Sequence, residues 1–204
     1  MANEISHGAC IPQAHMSGWA DFSFAQGFDA FLALPMASVP SDCYGVQREE
    51  ALRVGNHLKR YCGFTHVYNA ADAIYSETRF DRPEISIQMA LAAMRVSRLL
   101  VMLYTVDRPS SILVEAGCAL AQGIPSMYFV RKPLRLPFLL EAAHAALPSV
   151  RHFEYDCIED VLHFIESEGS AVLNSGRQKT QLGRLSSLNI FLHFAPQSPV
   201  LPCG

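Results

Sequence analysis

The stretch Arg98 to Tyr104, RLLVMLY, is an almost unbroken apolar run. A half-exposed strand alternates polar with apolar residues. This one offers no polar face, which is the pattern of a central strand covered on both sides in a parallel sheet. Upstream, a helical pattern runs from Glu84 to about Val96, with Pro83 at its start, where a missing N–H leaves no hydrogen bond unmade. Downstream, ILVEAGCALAQG reads as a helix capped by Ser110 or Ser111 and ended by Gly123 before Pro125.

The same alternation extends in both directions. Phe28 to Leu34 (FDAFLAL) reads as a buried strand closed by Pro35 and followed by the loop MASVPSDCYG. Gln47 to Tyr61 places Leu52, Val54, Leu58 and Tyr61 near one helical face, with charges opposite. Phe64 to Tyr68 is a second short strand, followed by the polar loop NAADAIYSETRFDRP. Beyond the central strand come a strand from Ser126 to Val130, a helix from Leu136 to Ala146, a strand from Val150 to Tyr155 and an amphipathic helix from Ile158 to Glu168. Strands that alternate with helices need right-handed crossovers, which predicts an α/β fold: a doubly wound, five-stranded parallel sheet in a flavodoxin-like three-layer sandwich.

This pattern occupies residues 27–169 and defines one α/β domain. Residues 1–26 read as an N-terminal arm without clear periodicity. Residues 170–204 form a C-terminal tail, Gly- and Ser-rich and then Pro-rich, that is either disordered or docked through Ile190 to Phe194. The 204 residues are half hydrophobic, enough for one sizeable core. A formal charge of -3 supplies no basic field for duplex nucleic acid. No apolar run reaches the roughly 18 residues of a membrane span. The six cysteines are scattered and no signal-like leader is visible, so they read as reduced thiols of a cytoplasmic protein. Cys62 and Cys118 fall in helical patterns, where a cysteine acts as a small hydrophobe.

In an open parallel sheet, ligands bind beyond the carboxyl ends of the strands. Three loops therefore matter: Pro35 to Gly45, Asn69 to Pro83 and Thr105 to Ser111. The third feeds the helix carrying Glu115, the lone charged residue between Ser110 and Pro125. Two explanations stand open for it. An acidic side chain near a helix N-terminus is favoured by about 0.3–1 kcal/mol. Alternatively, Glu115 is a catalytic acid at the mouth of the sheet, in surroundings apolar enough to raise its pKa.

The segment SSILVEAGCALAQGIPSMYFV, residues 110–130, resembles the signature of nucleoside 2-deoxyribosyltransferases, in which a Glu precedes a small residue, a Gly and an Ala-rich helix. FLALP, Phe31 to Pro35, resembles that family's first strand and its Pro-marked loop. The layout is also similar to TIR domains, which cleave NAD with a glutamate on the corresponding helix. The WCxxE form common there is absent, since Ile112 and Leu113 precede the glutamate.

The resemblance implies that Glu115 is the catalytic glutamate. It further implies a substrate-binding edge drawn from Leu34, Pro35, Met36, Asp81, Arg82, Asp107, Ser110 and Ser111. The family's further Asp, on the helix before the central strand, aligns with Ala90, so Asp81, Glu84 or Asp107 would have to supply a second acid from a loop.

Other motifs are thin. Arg79, Asp81 and Arg82 offer either a phosphate clamp or a solvated loop, and Arg131, Lys132 and Arg135 form a short basic cluster after the fourth strand. The eight histidines show no metal-ligand spacing, and His57 and His163 sit in amphipathic helices as surface or boundary residues. No GxGxxG, Walker or GxSxG pattern occurs.

The expected function is cleavage or transfer at an N-glycosidic bond of a nucleoside, nucleotide or NAD, with a carboxylate facing an oxocarbenium-like centre. No metal or cofactor is needed for it. The alternative is a catalytically silent TIR-like module that senses a nucleotide or assembles with partners. Ala-rich helix faces and an apolar tail, together with sites built across subunits in the resembled family, lead us to expect a homo-oligomer.

Overall fold

The computed structural model describes residues 26–72, 83–107, 109–171 and 173. The N-terminal arm, Arg79, Asp81, Arg82 and nearly all of the C-terminal tail lie outside these residues. The chain alternates β1 (Ala30–Ala33), α1 (Tyr44–Cys62), β2 (Val67–Asn69), α2 (Pro83–Arg95), β3 (Leu100–Tyr104), α3 (Ser110–Ala121), β4 (Ser126–Arg131), α4 (Phe138–Ala146), β5 (Val150–Tyr155) and α5 (Ile158–Phe164). The five strands form one sheet in the order β2-β1-β3-β4-β5, every pair parallel.

All five residues of β3 are buried, and their alternation divides the core in two. Val101 and Leu103 face one layer with Leu32, Met127 and Phe129, against Ala51, Val54 and Leu58 of α1 and Val161 and Leu162 of α5. Leu100, Met102 and Tyr104 face the other with Phe31, Tyr128 and Val130, against Ala93 and Met94 of α2, Ile112, Ala116 and Ala119 of α3, and Leu140 of α4. This is a doubly wound, three-layer fold of the flavodoxin-like kind.

Element ends differ from the sequence reading in instructive ways. Helix α1 begins at Tyr44, three residues before Gln47, because Gln47 points inward and is itself buried. The expected serine cap of α3 is absent: Pro109 is the N-cap, extended at ψ 107, and its carbonyl accepts the first helical bond from the Leu113 N–H at 3.3 Å. Ser110 and Ser111 lie inside the first turn instead. At the other end Gly123 is left-handed at φ +65. Its N–H bonds to Leu120 O at 3.1 Å and that of Ile124 to Ala119 O at 2.9 Å, the paired closure that a left-handed glycine permits.

Helix α5 widens into a π turn over Ile165–Gly169, and Leu173 beyond it is buried in the α1-side core. Among the described residues, no helix is long and apolar enough to cross a membrane.

Since β3 is packed on both faces, truncating it should be costly. Leu103→Ala should lower the unfolding free energy by about 2–5 kcal/mol. Val114→Ala, on a residue of α3 that is 53% exposed, should stay within about 0.5 kcal/mol. Urea titration of both variants measures the contrast, and equal losses would contradict a core centred on β3.

Candidate active site

Strands β1 and β3 are neighbours, but the helices that follow them leave to opposite faces: α1 packs on one core and α3 on the other. Their loops therefore part above the carboxyl ends of the two strands, the place where an open parallel sheet forms a crevice. After β1, Leu34 and Pro35 are buried, and Met36 opens a short 3-10 turn, Met36–Ser38, that packs against both α1 and α3. After β3 come Thr105, which is buried, and Asp107, which is exposed. Ser110 is exposed at the start of α3 and Ser111 is half-buried. These residues of the expected edge share one end of the sheet.

Glu115 lies in the second turn of α3. The residue keeps some exposed surface, yet its Oε2 has no access to solvent and no hydrogen-bond partner. Burial alone pushes its carboxyl from the ordinary 4.5 up to about 8. The physical reason lies in its neighbours. Helix α3 carries no other charge, and α2, which packs against it, brings Ala90, Ala93 and Met94 to the shared core. A buried ionised carboxylate without partners is strongly disfavoured, so the proton is retained. The position that aligns with the family's further Asp is thus an apolar contact at Ala90.

The basic cluster after β4 is spent within the chain. Arg131 Nη2 donates to both oxygens of Glu50 at 2.7 Å, and its guanidinium lies 5.6 Å from the centre of the Tyr155 ring. Lys132 pairs with Asp156 at 3.0 Å. Among the described residues Arg135 is exposed and makes no such pair, so two of the three basic groups are already engaged within the chain. His57 sits on α1, its Nε2 3.1 Å from Glu166, and His163 is exposed on α5. Among the described residues, no three His, Cys, Asp or Glu side chains are grouped to hold a metal ion.

Sequence reading overlooked one pair at this edge. The Thr105 hydroxyl donates to Gln47 Oε1 at 2.8 Å, joining the end of β3 to the first turn of α1. The signal was present, since Gln47, Ala51, Val54 and Leu58 recur at the spacing of one inward helical stripe.

No family model matches the chain, and no curated protein matches it in sequence. Solved structures do resemble it. A Clostridium botulinum CMP N-glycosidase, BcmB, is 15% identical at a TM-score of 0.50, covering 67% of this chain and 97% of its own. The solution structure of BlsM is 19% identical at a TM-score of 0.59, covering 72% of this chain and 93% of its own. At such identities the likeness carries the fold, which the two proteins share with this chain over residues that include most of the α/β domain.

The isolation of Glu115 has a thermodynamic signature. Between pH 4.5 and 8 the unfolded chain releases this proton while the folded chain keeps it, so stability from this group falls as pH rises through that window. Glu115→Gln removes the effect. The variant should match the wild type near pH 5 and exceed it at pH 8 by roughly 4 kcal/mol, about 1.4 kcal/mol for each unit by which burial raises the carboxyl. Melting curves at the two pH values measure this, and a variant less stable than wild type at pH 8 would show that Glu115 serves its helix instead.

Proposed function

We propose that this protein cleaves or transfers at the N-glycosidic bond of a nucleoside, nucleotide or NAD, with Glu115 as the catalytic carboxylate. The observation that carries the reading is the Glu115 carboxyl itself: its Oε2 sealed from solvent without a hydrogen-bond partner, raised to about 8, and placed on the helix that follows the central strand. A structural helix-end carboxylate gains by facing solvent and backbone N–H groups. The Oε2 of Glu115 does neither, and a group kept at such cost is a candidate for chemistry. The likeness of the fold to a protein described as a CMP N-glycosidase supports the same class.

In this mechanism the C1′–N bond breaks and its electron pair leaves on the base. Positive charge develops at C1′ and the ring oxygen. An ionised Glu115 in an apolar wall stabilises that cation far better than water would, or forms a glycosyl ester with it. Water then adds at C1′ in hydrolysis, or a second base or hydroxyl in transfer, and the proton released goes to the departed base. Leu34, Pro35 and Met36 would line the sugar side, with Asp107, Ser110 and Ser111 meeting the polar end of the substrate. Asp81 and Arg82, which lie outside the described residues, enter the proposal through the family resemblance alone.

Ala90 favours the second reading, a silent sensing module, since it leaves Glu115 without the family's further acid. We also propose self-association. Ile87, Val114, Phe138, Leu139 and Leu147 are exposed on or beside α2, α3 and α4, as are Val46 and Tyr61 on α1.

Activity and pH decide between the readings. Since Glu115 must be ionised to act, base release should rise with pH along one limb whose midpoint is near 8. Glu115→Gln should abolish release by at least about 10²-fold. Chromatography of free base from cytidine 5′-monophosphate, nucleosides and NAD gives both results. Unchanged turnover in the variant would sink the assignment, and binding without release by the wild type would favour the sensor.

A further inference from the structure

Five polar residues are buried among the described residues: Gln47, Asn69, Ser97, Thr105 and Ser126. Buried polar groups are expected to be hydrogen-bonded, and an exception calls for an explanation. Four of the five use their side chains within the chain. Ser97 donates to Ala93 O at 2.8 Å and Ser126 to Ile124 O at 3.0 Å. Asn69 donates to Ala51 O at 3.4 Å and accepts from the Ala71 N–H at 3.0 Å. Thr105 donates to Gln47.

Gln47 is the exception. Its Oε1 is taken by Thr105, while its amide nitrogen has no partner among the hydrogen bonds of the described residues. Nor is that nitrogen one of the sealed, partnerless atoms, so it retains access to solvent although the residue is only 6% exposed. Its place is the first turn of α1, bonded to Thr105, the residue that follows β3. That is the α1 wall of the same β1/β3 crevice whose α3 wall carries Glu115.

We propose that the Gln47 amide nitrogen, oriented by the Thr105 hydroxyl, donates a hydrogen bond to the carbonyl oxygen of the departing base. This rests on the N-glycosidase reading of Glu115. The chemistry of the bond assigns the need: when C1′–N breaks, the electron pair on the base spreads into its ring carbonyl, and a donor there stabilises the charge as it forms. Thr105 fixes which end of the amide faces the crevice, because its hydroxyl proton occupies Oε1 and leaves the NH₂ outward. One wall then serves the sugar cation and the other the base anion. The substrate class this selects is a nucleotide or nucleoside whose base carries a carbonyl beside the glycosidic nitrogen, as pyrimidines do.

The test uses cytidine 5′-monophosphate and ribose 5-phosphate, the same sugar phosphate without the base, on the full chain. Two variants are compared: Gln47→Glu, which keeps the acceptor for Thr105 and removes the donor, and Gln47→Met, which is neutral. Both should melt below the wild type, Gln47→Met because Thr105 loses its acceptor and Gln47→Glu because a carboxylate replaces a buried amide, so binding is compared well below the lower melting point. Calorimetric titration should show cytidine 5′-monophosphate bound roughly tenfold more weakly by each variant, the value of about one hydrogen bond, with ribose 5-phosphate within about twofold. Where the wild type turns over, kcat should fall about 10²-fold with a smaller change in KM. Unchanged binding of cytidine 5′-monophosphate by the variants, or an equal loss for both ligands, would overturn the assignment. Binding is read apart from turnover, so a wild type that binds but releases no base defeats the catalytic reading while the contact is still judged. A wild type that binds no cytidine 5′-monophosphate overturns both.

Discussion

A strand buried on both faces leaves a chain nowhere to put chemistry except beyond its ends. β3 imposes that constraint here. Its alternate side chains complete two separate cores, against which the helices on either side pack their apolar residues. Polar function is pushed to the carboxyl edge, and the parting of α1 and α3 at β1 and β3 opens a crevice there. On the β4 and β5 side of that edge, Arg131 is paired with Glu50 and Lys132 with Asp156.

Glu115 is an acid that this arrangement treats badly, and burial also raises the carboxyl of Asp72. Other carboxylates have partners: Asp29 accepts from the Thr65 and His66 N–H groups, and Asp160 from those of Asp156 and Cys157. Those bonds hold the Asp160 carboxyl below its ordinary range, whereas burial drives that of Glu115 upward. Such a contrast within one domain marks a group whose ordinary stabilisation has been withheld. A substrate that develops positive charge would supply it.

Much of the fold was legible in the sequence because it rests on local periodicity. RLLVMLY announced a two-faced strand, and the alternation around it fixed the layers. Features set by distant partners were not legible. Arg131 looked free because Glu50 lies 81 residues away, and the Gln47–Thr105 bond joins residues 58 apart. The α3 cap was misread for a local reason: Pro109 already supplies the extended residue and the carbonyl that a cap needs, so the serines follow it into the helix. Glu115 stood out as a lone charge, but its isolation depends on the alanines that α2 brings beside it.

The most direct measurement is a carbon-13 NMR titration of the Glu115 carboxyl carbon, in the free protein and with cytidine 5′-monophosphate bound. The account predicts a midpoint near 8 in the free protein and a lower one with ligand, as hydroxyl donors of the bound sugar reach Oε2. A midpoint near the ordinary 4.5 in the free protein, or one that ligand leaves unmoved, would contradict it.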